Sequence, residues 1–129
     1  MDSADMYREH ILELYKDPPH FGTLEHATAS HREVNPLCGD DIMVQVIERN
    51  GVVKDARFKG KGCAISIAST ALVVDKMIGM KIEDVLKLKK DDVLKMLEIP
   101  IGPVRLKCAL LGLEIVQKVV GGSNGFARN

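Results

Sequence analysis

Three cysteines carry the chemistry this chain could do, each inside its own short motif: Pro36-Leu37-Cys38-Gly39-Asp40, Gly60-Lys61-Gly62-Cys63-Ala64 and Pro103-Val104-Arg105-Leu106-Lys107-Cys108. Three thiols cannot all pair within one chain, so a structural disulfide framework explains them poorly. Three thiolates and one carboxylate, by contrast, form a four-ligand set for a thiophilic metal or an iron–sulfur cluster. Pro36 and Gly39 disfavour regular structure around Cys38, so it belongs to a turn. Asp40 follows two residues later, and the bend at Gly39 lets both side chains face one ion. Cys63 comes after Gly60 and Gly62 at a strand-to-helix junction, at or just before a helix N-terminus. There the dipole and free N–H groups favour thiolate over thiol, and the glycines let a bulky cluster approach the backbone. Cys108 falls in the second turn of the last helix, with Lys107 directly before it and Arg105 nearby, cations that also favour a thiolate.

A competing reading is that a cysteine is a small core hydrophobe, and Cys108 on an apolar seam fits that equally well. Glycine-flanked Cys38 and Cys63 contribute little to a core. Cys38 and Cys63 stand 25 residues apart and Cys63 and Cys108 stand 45 apart, which matches no zinc-finger or ferredoxin spacing.

The elements that must position these residues are legible from periodicity. Residues 4–16 predict an amphipathic helix, with Tyr7, Ile11 and Leu14 at helical spacing and Pro18-Pro19 ending it. Ile42, Val44 and Val46 alternate with Met43 and Gln45 as a strand, and Asn50-Gly51 signals a type I′ hairpin. The return strand places Val52, Ala56 and Phe58 on one face and Asp55, Arg57 and Lys59 on the other. A short strand around Arg32–Val34 joins them. Residues 64–79 predict a buried helix with Gly79 as its C-cap. Residues 82–89 and 91–98 predict two short helices, the second capped by Asp91-Asp92. Pro103 opens a final helix whose Val104, Cys108, Leu111, Ile115 and Val119 form one apolar seam, and the tail 121–129 is frayed. The fold class is α+β: a small three-stranded antiparallel sheet with an N-terminal helix and a C-terminal group of helices packed on it.

Bulk properties set the frame. At 129 residues and 14.2 kDa the chain suits one domain over 1–129. It is 46% hydrophobic and 28% charged, with 18 basic against 18 acidic residues, which speaks against a nucleic-acid or membrane surface as partner. Aromatic residues are too scarce, at 4%, to stack on bases. Asp2, Asp5 and Glu9 precede any apolar run, unlike a signal peptide, and no stretch approaches the roughly 20 apolar residues of a membrane span. Unpaired cysteines suit a reducing cytoplasm. His10, His20, His26 and His31 all precede Cys38 without a helical ligand spacing and read as surface residues. Met43, Met77, Met80 and Met96 read as core fillers, and the run Lys87, Lys89, Lys90, Asp91, Asp92 as a solvated turn. Gly60-x-Gly62 lacks the rest of a dinucleotide fingerprint.

The three motifs in this order, with a sheet between the first two, resemble the IscU/SufU/NifU N-terminal family of iron–sulfur cluster scaffold proteins. The resemblance covers about residues 5–120 and includes Tyr15-Lys16-Asp17-Pro18, Phe21-Gly22, Cys38-Gly39-Asp40, the run Asp55 to Cys63, Ser66-Ile67-Ala68-Ser69 and the run Pro103 to Cys108. It implies that Cys38, Asp40, Cys63 and Cys108 surround an iron or [2Fe-2S] site, with Gly39, Gly62, Arg105 and Lys107 beside it. It also implies that a cysteine desulfurase delivers persulfide sulfur to Cys108 or Cys38, and that the finished cluster passes to recipient apo-proteins. One oxygen among three sulfurs suits such a transfer, because a harder ligand binds a soft iron–sulfur unit less firmly.

Two departures from the family pattern shape the partner expectations. Lys107 stands where the IscU branch has a histidine, and an ammonium cannot ligate a metal. A homodimer that shares or bridges the cluster would supply what Lys107 does not. Lysine there and Asn35-Pro36 before the first cysteine resemble the SufU branch, in which the same four positions bind zinc and serve sulfur transfer. The segment from Cys63 to Cys108 lacks that branch's insertion, however, and is short as in IscU. Ile101-Gly102-Pro103-Val104-Arg105 replaces Leu-Pro-Pro-Val-Lys, which argues against a dedicated Hsp70-type chaperone. A purely structural zinc domain is disfavoured, because the helices and sheet form a core without metal.

Overall fold

The computed structural model describes residues 3–36, 39–98 and 100–121. In chain order they form α1 (Ser3–Lys16), β1 (Ala29–Asn35), β2 (Asp40–Arg49), β3 (Val52–Lys61), α2 (Ala64–Met77), α3 (Ile82–Leu86), α4 (Lys90–Leu97) and α5 (Pro103–Gly121). The strands make one antiparallel sheet in the order β1-β2-β3, so the α+β architecture read from the sequence is the one observed. Asn50 and Gly51 both take positive φ, at 55° and 79°, the geometry of a type I′ turn whose twist matches the flanking strands.

Ile42, Val44 and Val46 point inward from β2 and are fully buried. On β3 the expected face is displaced at one position. Ile47 pairs with Asp55 but Glu48 pairs with Val53, which leaves Lys54 as an extra residue in a bulge. Val53 therefore joins Ala56 and Phe58 in the core, and Val52 is only half-buried. β1 extends beyond Arg32–Val34 at both ends, pairing with β2 from Ala29↔Val46 to Asn35↔Asp40. Its sequence hides this, because it is a largely polar edge strand whose pairing comes from β2. The outer edge of β3 is covered by two loops. The Gly22 N–H donates to the Phe58 carbonyl at 2.8 Å and the Val53 N–H to the Met80 carbonyl at 2.9 Å, which blunts an edge open to other strands.

The helices differ from expectation mainly at their ends. α2 stops at Met77 with Ile78 as its C-cap, since the Gly79 N–H, at φ 92°, is drawn to the Val53 carbonyl. α3 is shorter than 82–89. α4 begins one residue earlier than expected, with Lys89 at the N-cap. Asp92 acts from inside the first turn, accepting the Lys89 N–H at 2.8 Å. In α5, Pro103 opens the helix, and Cys108, Leu111, Ile115 and Val119 are buried. Val104 leaves the seam: it is 86% exposed, because residues 102–107 all stand clear of the core. Gly121 closes α5, and the rest of the tail lies outside the described residues. The core sits between the inner face of the sheet and the paired helices α2 and α5, with α1 laid on α2 through Ile11. No helix among the described residues is long and apolar enough to cross a membrane.

Candidate metal centre

Asp40 is the first residue of β2, and strand alternation turns it inward while Asp41 turns outward. It is fully buried. Burial of a carboxylate is costly unless its oxygens are satisfied, and both are. Oδ1 accepts the Cys63 N–H at 3.1 Å and Oδ2 accepts the Ser66 hydroxyl at 2.7 Å. This approach requires Gly62. A Cβ there would sit 2.5 Å from Asp40 Oδ1 and 3.1 Å from its Cγ, inside contact distance.

Cys63 is the N-cap of α2, with extended backbone angles, and its Sγ accepts the Ser66 N–H at 3.4 Å. The sequence placed Cys63 at this junction, and a sulfur takes the capping role that hydroxyl or carboxylate oxygens usually fill. Desolvation pushes its thiol up. Its contacts with Ser66 and Cys108 outweigh that, against the nearby charge of Asp40, and leave its pKa below the ordinary thiol value. The sulfur is thereby biased toward the thiolate that binds metals and attacks sulfur.

Cys108 comes from the far end of the sequence and is buried, on α5. Its nearness to Cys63 depends on how closely α5 packs against α2. One turn further along α5, Gly112 lies against Thr70; an added Cβ would meet the Thr70 Cα and Oγ1, both at 2.7 Å. Only a residue without a side chain allows that approach, and it carries Cys108 up to Cys63. The result is a cluster in which one ligand atom each from Asp40, Cys63 and Cys108 lies within 4.8 Å of the others. These residues come from a strand, a helix cap and a helix.

Two sulfurs and a carboxylate oxygen so close together fit a thiophilic ion or an iron–sulfur unit with a further ligand to be added. Cys38, the remaining residue of the predicted set, lies outside the described residues. Its neighbour Gly39 has φ 75°, and the Gly39 N–H donates to the Asn35 carbonyl at 2.8 Å, closing the connection between β1 and β2 at its base. Lys107 and Arg105 are exposed on the first turns of α5. Lys107 also lines a groove of about 1180 Å³ between α5, β1 and the α3–α4 connection. The histidines lie elsewhere: His20 meets Asp75 at 2.8 Å and His31 meets Glu33 at 2.8 Å. Sequence reasoning missed Ser66 as a member of the site. The signal was its place three residues after Cys63, where a helix N3 position faces the cap.

Comparison with known proteins places this arrangement. Residues 6–124 match the family model described as NifU-like N terminal domain. The iron-sulfur cluster assembly enzyme IscU of Drosophila melanogaster is 34% identical over 116 residues, covering 87% of this chain and 74% of that protein. The iron-sulfur cluster assembly scaffold protein IscU of Thermotoga maritima is 32% identical over 131 residues, covering 89% and 92%. The crystal structure of a nitrogen-fixing NifU-like protein (N-terminal) from Brucella abortus superposes with a TM-score of 0.71 at 26% identity, covering 88% and 91%. Matched by that family model over residues 6–124 and sharing the fold of a NifU-like N-terminal domain, the chain belongs to the NifU-like N-terminal domain family.

Proposed function

We propose that the chain is a single scaffold domain on which an iron–sulfur cluster is built as cargo and from which it is handed on. In this reading Cys38, Asp40, Cys63 and Cys108 hold a [2Fe-2S] unit made from iron and from sulfur supplied by a cysteine desulfurase, and recipient apo-proteins take it away. The observation that carries the reading is the convergence of the Asp40 carboxylate with the Cys63 and Cys108 sulfurs within 4.8 Å. The relatives named for iron–sulfur cluster assembly support it. Sulfur arrives by exchange: the acceptor thiolate attacks the outer sulfur of the donor persulfide, a new S–S bond forms, the donor S–S bond breaks, and the desulfurase leaves as a thiolate. An external two-electron reductant, a thiol or an electron-transfer protein, then cleaves the new S–S bond, releasing sulfide to the iron and restoring the acceptor thiolate. The acceptor is Cys108 or Cys38. Cys108 is buried, so sulfur reaches it only when the site opens. The chain itself acts as a carrier rather than an enzyme, in a cytoplasm that keeps its thiols reduced.

A second reading, a zinc-holding sulfur relay to and from the desulfurase, draws on Lys107, which cannot complete a metal site, and on the readiness of zinc to take sulfur and oxygen donors. Metal and sulfide analysis after strictly anaerobic purification separates the two. The scaffold reading expects iron and acid-labile sulfide in equal amounts, with cluster absorption lost in Cys38→Ala, Cys63→Ala and Cys108→Ala. Colourless protein with about one zinc per chain, and no cluster after addition of iron, desulfurase, cysteine and a thiol reductant, would replace it with the relay. The mass of the loaded protein in solution tests whether a second copy shares the cluster.

A further inference from the structure

Ser66 touches two of the candidate ligands at once, and its geometry differs from that of its neighbours on α2. Ser69 and Thr70 turn their hydroxyls back onto their own helix, donating to the Ser66 carbonyl at 3.2 and 2.7 Å. Such back-bonding is the ordinary way a helix satisfies a buried hydroxyl. Ser66, fully buried, instead sends its hydroxyl out of the helix to Asp40 Oδ2 at 2.7 Å, while Oγ lies 3.4 Å from Cys63 Sγ. A hydroxyl has one hydrogen to give, and the short contact to the carboxylate takes it. Asp40 is thereby gripped at both oxygens, by the Ser66 hydroxyl and by the Cys63 N–H. Each oxygen accepts one of these bonds and keeps a second lone pair. The carboxylate can bind a metal without giving up either hydrogen bond.

We infer that Ser66 is a positioning residue for the metal or cluster. It holds the one oxygen ligand beside the two sulfurs, and so keeps a weak donor in place until it is displaced. The inference rests on the reading of this site as metal-holding. Hydrogen-bond partners that orient a ligand typically set metal affinity by about 10–100-fold, and Ser66 is the only side chain among the described residues that fills this role for Asp40.

The test is titration of the full, metal-free chain with Co(II), followed by its visible ligand-field bands, for the wild type, Ser66→Ala, Ser66→Thr, Asp40→Ala and the Ser66→Ala/Asp40→Ala double variant. We expect Ser66→Ala to bind about 10-fold more weakly with altered bands. Ser66→Thr, which keeps the hydroxyl, should recover the bands, and Ser66→Ala should add nothing once Asp40 is gone. Far-UV circular dichroism of the metal-free chains checks the fold. In the cobalt-loaded wild type, which needs no variant, the Ser66 proton resonances should carry large paramagnetic shifts. Wild type that takes up no cobalt would overturn the metal reading itself. Wild type that binds while Ser66→Ala binds equally well, an undiminished Ser66→Ala effect in the Asp40→Ala background, or unshifted Ser66 resonances would overturn the inference alone.

Discussion

Asp40 and Asp41 are adjacent carboxylates at the start of β2, and strand alternation sends them to opposite faces of the sheet. On the outer face Asp41 meets a cation: the Arg32 guanidinium donates to both its oxygens at 2.7 Å. On the inner face Asp40 meets, among the described residues, no cation but a serine hydroxyl and a backbone N–H. The outer pair is complete, with each charge neutralised by its partner, and water screens what remains. The inner carboxylate lies buried beside two sulfurs, with a lone pair left on each oxygen, which leaves it open to a metal. The same residue type is thus an ion-pair partner on one face and a candidate ligand on the other, and the difference lies in what the opposite strand and helix bring to meet it.

The contrast between the faces can be broken first where it is largest. Phe58 is fully buried on the inner face, with Phe21 packed edge-on against it at 5.4 Å between ring centroids. Phe58→Ala should cost about 3–5 kcal/mol in chemical denaturation, whereas Lys59→Ala, on the exposed side of the same strand, should stay within the error of that measurement. Gly62→Ala comes next. Its new Cβ displaces the Asp40 carboxylate, so about 1–3 kcal/mol of overpacking should come with weakened Co(II) binding; unchanged binding would mean that Asp40 is not a ligand.

The smallest effect belongs to the outer pair. The hydrogen bond from Arg32 holds the Asp41 carboxyl below its ordinary range. A depressed carboxylate stabilises the fold above its unfolded value and loses that contribution as pH falls through its folded value. Arg32→Ala should therefore leave stability at neutral pH unchanged within error and raise the Asp41 titration point seen by NMR. It should leave Co(II) binding as it was; a loss of metal would show that the two faces are coupled.

Much of this protein was legible without coordinates. Alternation at Ile42, Val44 and Val46, the Asn50-Gly51 turn, and Cys63 before an apolar helical run all follow from local rules. The local rules failed where a neighbouring element decided the outcome. The bulge at Lys54 moved Val53 into the core, the pairing of Gly79 with Val53 ended α2 early, and the first turn of α5 carried Val104 out past the packed body.

By itself the sequence determined which chemistry is available: three sulfurs, one carboxylate after Cys38-Gly39, and the helix start that biases Cys63 toward thiolate. Only the tertiary structure decided that Asp40, Cys63 and Cys108 share one small volume, and that Ser66 belongs with them. Periodicity reports which face of its own element a residue occupies, and it is blind to the distance between elements. That distance is set here by contacts at Gly62 and Gly112, where the absence of a side chain lets a strand, a helix cap and a helix close on one point.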